Sequence, residues 1–235
     1  MRISAAQRAR VLSLCGALLL AAPAAGQQKQ IDSPYRFVER NQSLGVFAGY
    51  AVTGKGQLEL GMDDAPAFGI RYRIHVSGPF RLEAELAIMQ GQRTVRDTTF
   101  TADSAYVVLG EVDSRLLAGM ATLRFDITGP RTWHGLQPFL LFGGGLVADL
   151  AGASEVEDDL PENVRFDIGT SFAGQIGGGL EWYLSQGASL RVDARNVLWK
   201  VNTPTAFRIP ERGRTLPDDE WTQNFVATVG FAIHF

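Results

Sequence analysis

The chain has 235 residues, a single cysteine and a formal charge of −3, from 22 basic and 25 acidic side chains. A length of this order makes one domain, and mild acidity without a basic tract argues against nucleic acid as a partner. With Cys15 as the one thiol, no intrachain disulfide or thiolate metal cluster is possible.

Arg2, Arg8 and Arg10 come before an apolar stretch, Val11–Ala22, broken only by Ser13, Cys15 and Gly16, and small residues follow. Basic, then apolar, then small is the order of a secretory signal, and the stretch is too short for a membrane helix. Residues 1–26 are therefore expected to be a signal peptide cut after Ala24 or Gly26. Cys15 follows Leu14 inside the apolar run rather than a small residue at its end, which argues against lipidation. Removing this segment takes away three arginines and no acid, so the mature chain carries −6 and no cysteine. Residues 27–43 are polar, contain Pro34, and read as a periplasmic lead-in with one apolar patch, Tyr35–Val38.

No mature stretch holds eighteen apolar residues, so no membrane helix is expected. Eight runs with a period of two follow instead. The first, Leu44–Val52, sets Leu44, Val46, Ala48 and Tyr50 against Gly45, Phe47 and Gly49. The second, Ala67–Val76, sets Phe68, Ile70, Tyr72, Ile74 and Val76 against Gly69, Arg71, Arg73 and His75. Only Ser77, Gly78 and Pro79 separate it from the third, Phe80–Gln90, where Phe80, Leu82, Ala84, Leu86 and Ile88 oppose Arg81, Glu83 and Glu85. In the fourth, Arg115–Ile127, Leu117, Leu123, Phe125 and Ile127 oppose Thr122, Arg124 and Asp126. The fifth, Gln137–Ala148, is apolar on both faces, which leaves its register open. The sixth, Ile168–Leu184, sets Phe172, Ile176, Leu180, Trp182 and Leu184 against Gln175, Glu181 and Tyr183. The seventh, Ala188–Lys200, sets Leu190, Val192, Ala194 and Leu198 against Arg191, Asp193 and Arg195. The eighth, Trp221–Phe235, keeps one greasy face throughout, longer than an average soluble strand needs.

The gaps alternate between long (53–66, 91–114, 149–167, 201–220) and short (77–79, 128–136, 185–187). That asymmetry belongs to an eight-stranded antiparallel up-and-down transmembrane β-barrel, an all-β fold, over residues 44–235. Long loops then lie outside a bacterial outer membrane, with the short turns and both mature termini in the periplasm. A soluble ligand-binding barrel has the opposite polarity, wet outside and apolar inside. In water this chain would expose an apolar face on almost every strand.

The Gly-rich run FAGQIGGGLEWY (Phe172–Tyr183), the ASLRVDARN that follows (Ala188–Asn196) and QPFLLFGGGLVA (Gln137–Ala148) resemble the OmpA-like transmembrane β-barrel family of small outer membrane proteins. The resemblance implies the same barrel and names no single activity. It also implies that the terminal Phe235 resembles the signal read by the barrel-assembly machinery, that outer membrane lipids and lipopolysaccharide are the surroundings, and that the barrel is a monomer.

The inward charges are the main candidate site. Arg71, Arg73, Arg81, Arg124, Arg191 and Arg195 oppose Glu83, Glu85, Asp126, Glu181 and Asp193. Charges in a narrow lumen must be paired or wet, and near balance favours an interlocked plug in an interior just wide enough for side chains. The alternative is a narrow or gated channel for ions or small hydrophilic solutes, which a lining of one sign would have favoured. Glu83 and Glu85 share a face, but Arg81 stands beside them and Arg71 and Arg73 lie in the paired run, so salt bridging accounts for them. His75, His134 and His234 are scattered, and Ser77 near His75 has no orienting acid. No catalytic residue, metal or cofactor is expected. A lipid-modifying enzyme is the least supported reading, behind a structural or surface-interaction barrel and then a channel. Trp133, Trp182, Trp199 and Trp221 fall near run ends and read as interfacial aromatics. Glu155, Glu157, Asp158, Asp159 and Glu162 fit a solvated loop better than any calcium loop. The glycine triplets at 143–145 and 177–179 lie inside runs and read as close packing or tight curvature.

Overall fold

The computed structural model describes residues 34–97, 107–151, 160–161, 163–166, 169–207 and 217–235. The expected signal peptide and the acidic cluster at 155–159 and 162 lie outside the described residues. The strands are β1 (Tyr35–Phe37), β2 (Gln42–Val52), β3 (Ala65–Ser77), β4 (Phe80–Asp97), β5 (Val107–Asp126), β6 (Arg131–Trp133), β7 (Leu136–Asp149), β8 (Thr170–Ser185), β9 (Ala188–Asn202) and β10 (Asp219–His234).

The eight long strands pair in the order β7, β5, β4, β3, β2, β10, β9, β8, and β8 pairs back onto β7. Every pairing is antiparallel, so the sheet closes as an up-and-down barrel and its long strands have no free edge along the wall. The closing ladder joins β10 to β2 from Phe225↔Val52 to His234↔Ser43. The expected faces hold on each strand whose register the sequence settles. Val46, Phe68, Leu86, Ile176 and Val229 point out with about half or more of their surface free, and Phe172 is 77% exposed. Their pairing partners repeat the pattern strand by strand, which produces a continuous apolar belt.

Pairing settles the fifth run. Gln137 lies opposite Glu181, Leu141 opposite Arg124 and Phe139 opposite Asp126, so Gln137, Phe139, Leu141 and Val147 face inward. Leu140, Phe142 and Leu146 face out. The triplet within β7 is a close approach: a Cβ on Gly145 would stand 1.9 Å from the Gly119 carbonyl oxygen, and one on Gly143 2.2 Å from that of Ala121. Only glycine fits there.

The expected loop at 91–114 is largely strand. β4 and β5 stay paired out to Asp97↔Val107. The reason is an inversion of polarity. Beyond Ile88 and Leu117 the outward side chains become Gln90, Gln92 and Thr94 opposite Arg115, Asp113 and Glu111, while Met89, Val95, Val112 and Leu116 remain buried on the inner face. The hairpin thus continues beyond the apolar belt with a polar outer face. Its inner face is covered from the neighbouring long connections: Leu58, Leu60, Met62, Leu160, Val164 and Phe166 are buried in one cluster with Val95, Val112, Leu116 and Trp199. Met62 bridges to Arg93, whose guanidinium lies 5.5 Å from the Phe166 ring centre. Lys55 pairs with Asp63, and that hydrogen bond lifts the ammonium above its ordinary pKa against partial desolvation.

The interior therefore has two halves. Toward the long connections it is an apolar core of the kind found in soluble proteins. Toward the short turns it is charged.

Candidate functional site

Around the closed ring β3 stands four strands from β8, and β4 four strands from β9, so each pair faces across the diameter. Three ion pairs use those diameters. Arg73 donates from both Nη atoms to Glu181, at 2.5 and 2.9 Å. Arg191 Nη1 donates to Glu83 Oε1 at 2.7 Å. Arg195 Nη1 reaches both oxygens of Glu85 at 2.8 and 2.9 Å. Other links are more local, within one strand or between strands one or two apart in the ring. Arg71 donates to Glu85 at 2.8 Å, Arg81 and Arg124 each to Asp126 at 2.6 Å, and Arg124 also to Glu181 at 2.5 Å. Asp193 accepts from Arg191 and Arg195 on its own strand, with Arg71 at 3.4 Å. Each of the five carboxylates lies within 4 Å of at least two guanidiniums.

Sequence makes this arrangement. Arginine and acid alternate with small or apolar residues at period two, so Arg191, Asp193 and Arg195 stack on one face of β9, and Arg71 and Arg73 do so on β3. All eleven predicted charges come together, with Arg124 and Glu181 fully buried. Burial at this depth is costly unless every charge is paired and hydrogen-bonded. Neutral groups complete the shell. Gln137 accepts from Arg124 at 3.3 Å and from the Tyr183 hydroxyl at 3.1 Å, and Gln175 joins Thr122 to Arg195. Phe139 is held between Arg124 and Arg191, 3.9 and 4.2 Å from its ring centre, and Arg71 stacks on Phe47 at 4.6 Å. A void of about 20 Å³ beside Ser43, Arg71, Arg73 and Glu181 has space for about one water.

Sequence reasoning missed Ser189. Its hydroxyl donates to Glu181 at 2.6 Å and lies 2.7 Å from His234 Nε2. A nucleophilic serine needs its acid behind the imidazole, on Nδ1. Here the carboxylate holds the serine, and among the described residues His234 Nδ1 has no hydrogen-bond partner. Ser189 is also fully buried. The group extends the charge network. The signal for it was inward parity shared by Ser189, Arg191 and His234.

Of the four tryptophans expected at the interface, Trp133, Trp182 and Trp221 point outward and are about half exposed. Trp199 does not. It is 3% exposed and faces inward, opposite Ala173 and Thr222. The alternation that turns Arg191 and Arg195 inward does the same to residue 199, and parity outweighs position near a strand end. Lys200 takes the outward place, 5.5 Å from the Trp221 ring centre.

The mouth beside the charges is covered by the chain ahead of β2. Val38 N donates to Pro130 O at 3.0 Å, Gln186 reaches Phe37 O at 3.2 Å, Arg40 reaches His234 O at 3.0 Å, and Asn41 O accepts from His75 N at 2.7 Å. These partners belong to elements on all sides of the ring. Part of the expected lead-in is thus an ordered strap.

No protein-family model matches the sequence, and no curated protein matches it. Solved structures do. Neisserial surface protein A aligns over 83% of this chain and 97% of its own, at 13% identity and a TM-score of 0.53. The outer membrane protein OprG from Pseudomonas aeruginosa aligns over 83% and 97%, at 14% identity and a TM-score of 0.51. At such identities the likeness is one of fold, and the fold is that of the small eight-stranded outer membrane β-barrels.

Proposed function

We propose that the protein is an integral outer membrane scaffold, closed to solutes, that carries an ordered cap for surface interaction. In this reading residues 1–26 direct export, the short turns and both mature ends are periplasmic, and the hairpin of β4 and β5 stands outside the cell. Lipids and lipopolysaccharide surround the belt, the assembly machinery reads Phe235, and the barrel works as a monomer without a catalytic residue. The observation that carries the reading is the set of ion pairs across the diameter, Arg73 with Glu181, Arg191 with Glu83 and Arg195 with Glu85. A conducting pore of this width would need those side chains at the wall, with water between them. The apolar core above them is a second barrier, because ions do not cross a dry hydrocarbon-like interior. A cap held by Leu58, Met62, Val164 and Phe166 offers a fixed outer surface, which supports a partner-binding role over a mobile loop set. Swelling of vesicles in an isotonic small sugar tests closure. Vesicles bearing the refolded protein should swell no faster than empty ones, and faster swelling would favour the channel instead.

A further inference from the structure

The sheet has one appendage outside the barrel, the ribbon of β1 and β6, and its outer face continues the lipid-facing wall. Trp133 pairs with Leu136, and Leu136 with Trp182, so all three share the outward face of β6, β7 and β8. Tyr35 pairs with Trp133, and Phe37 with Arg131, which puts Tyr35, Phe37, Arg131 and Trp133 on that same face. His134 and Gly135 turn β6 into β7 with φ of 51° and 82°, the left-handed pair of a two-residue type I′ hairpin, so the ribbon is set tightly against the wall. Thr132, on the opposite face, is buried.

Within this face Arg131 is singular. Its guanidinium lies 4.5 Å from the Phe37 ring centre, and among the described residues no carboxylate pairs with it. The lumenal arginines, by contrast, each pair with a carboxylate. Arg131 is seated on an aromatic ring and flanked by the half-exposed Tyr35, Phe37 and Trp133. Tyr and Trp settle where headgroup meets hydrocarbon, and a planar guanidinium matches a phosphodiester with two parallel hydrogen bonds.

We infer that the ribbon is a phospholipid-headgroup site, with Arg131 binding the phosphate of an anionic lipid in the leaflet at the short-turn end. The argument rests on continuity with the belt and on charge complementarity, and it requires only that the barrel stand in a membrane. A bound lipid would also fix β1, and so the strap that β1 leads into, to the membrane surface.

The test uses the refolded mature chain in neutral detergent, titrated with phosphatidylglycerol, with bound lipid counted by native mass spectrometry. The wild type should retain a phosphatidylglycerol that Arg131→Gln binds about fivefold more weakly, the order of effect of one arginine near an anionic surface. Arg131→Lys, which keeps charge but not the fork, should fall between them. Arg115→Gln removes an outward arginine above the belt and should bind as the wild type does. Equal binding by Arg131→Gln and wild type would overturn the inference. So would an equal loss in Arg115→Gln, which would mean diffuse charge attraction. The heat-dependent gel shift of folded barrels verifies each variant. If Arg131→Gln does not fold, Phe37→Leu, which removes the seat of the guanidinium, should weaken binding in its place, and unchanged binding by it would equally sink the site. None of these results bears on permeability, so closure stands or falls separately.

Discussion

Glu181 shows what one buried carboxylate holds in place. It accepts from Arg73, Arg124 and Ser189, which sit on three other strands. Replacing it with alanine leaves two buried guanidiniums short of an acceptor, and the cost of such unpaired charge is about 3–5 kcal/mol. Urea unfolding of Glu181→Ala in lipid vesicles should register a loss of that order, and a loss near that of an exposed surface substitution would show the network to be looser than described. Trp199 makes a second prediction at this scale. It lies in the apolar half of the lumen, so its fluorescence should resist both aqueous acrylamide and brominated lipid. Trp182 and Trp221, which face the belt, should be quenched by the lipid probe. Quenching of all three alike, read from single-tryptophan variants, would put Trp199 back on the outside.

At the scale of elements, the strands whose alternation was clear in the sequence are the strands whose faces came out as expected. Arg71 and Arg73 against Ile70 and Tyr72 can be read in one way only, because a slip by one residue would turn both arginines into lipid. β7 carried no such contrast, since Phe139, Leu141 and Val147 are as apolar as Leu140, Phe142 and Leu146, and only its neighbours decide. The outer hairpin reads as loop in the sequence because Gln90, Gln92 and Thr94 end the apolar outer register, although Val95, Val112 and Leu116 continue the inner one. β1 and β6 are three residues each, too short for periodicity to register. Two predictions belong here. Gly145→Val should prevent β7 from pairing with β5, seen as loss of the heat-modifiable folded band, while Gly110→Ala, where a Cβ meets nothing within 4 Å, should fold normally. The strap should shield the network. In the chain without residues 1–26, Ser189→Cys is the one thiol, and it should react with a membrane-impermeant reagent only after residues 34–41 are deleted. Ready labelling with the strap intact would show the mouth to be open.

At the scale of the molecule, two kinds of interior share one barrel. The charged half makes the wall's inward polarity tolerable by mutual pairing, and the apolar half continues past the belt into a cap that packs as a soluble domain does. The sequence foreshadowed the first through near-equal numbers of inward arginines and acids. It concealed the second, because Leu58, Leu60, Met62 and Phe166 lie in connections whose burial depends on contacts far along the chain. Both halves obstruct the same path, so closure is the property on which the whole account depends. Single-channel recording in planar bilayers tests it most directly, comparing the wild type with the Glu83→Ala, Glu181→Ala double variant. The account predicts a silent wild type, and flickering current at most when two of the cross-lumen acids are gone. Stable, reproducible openings from the wild-type protein would contradict it.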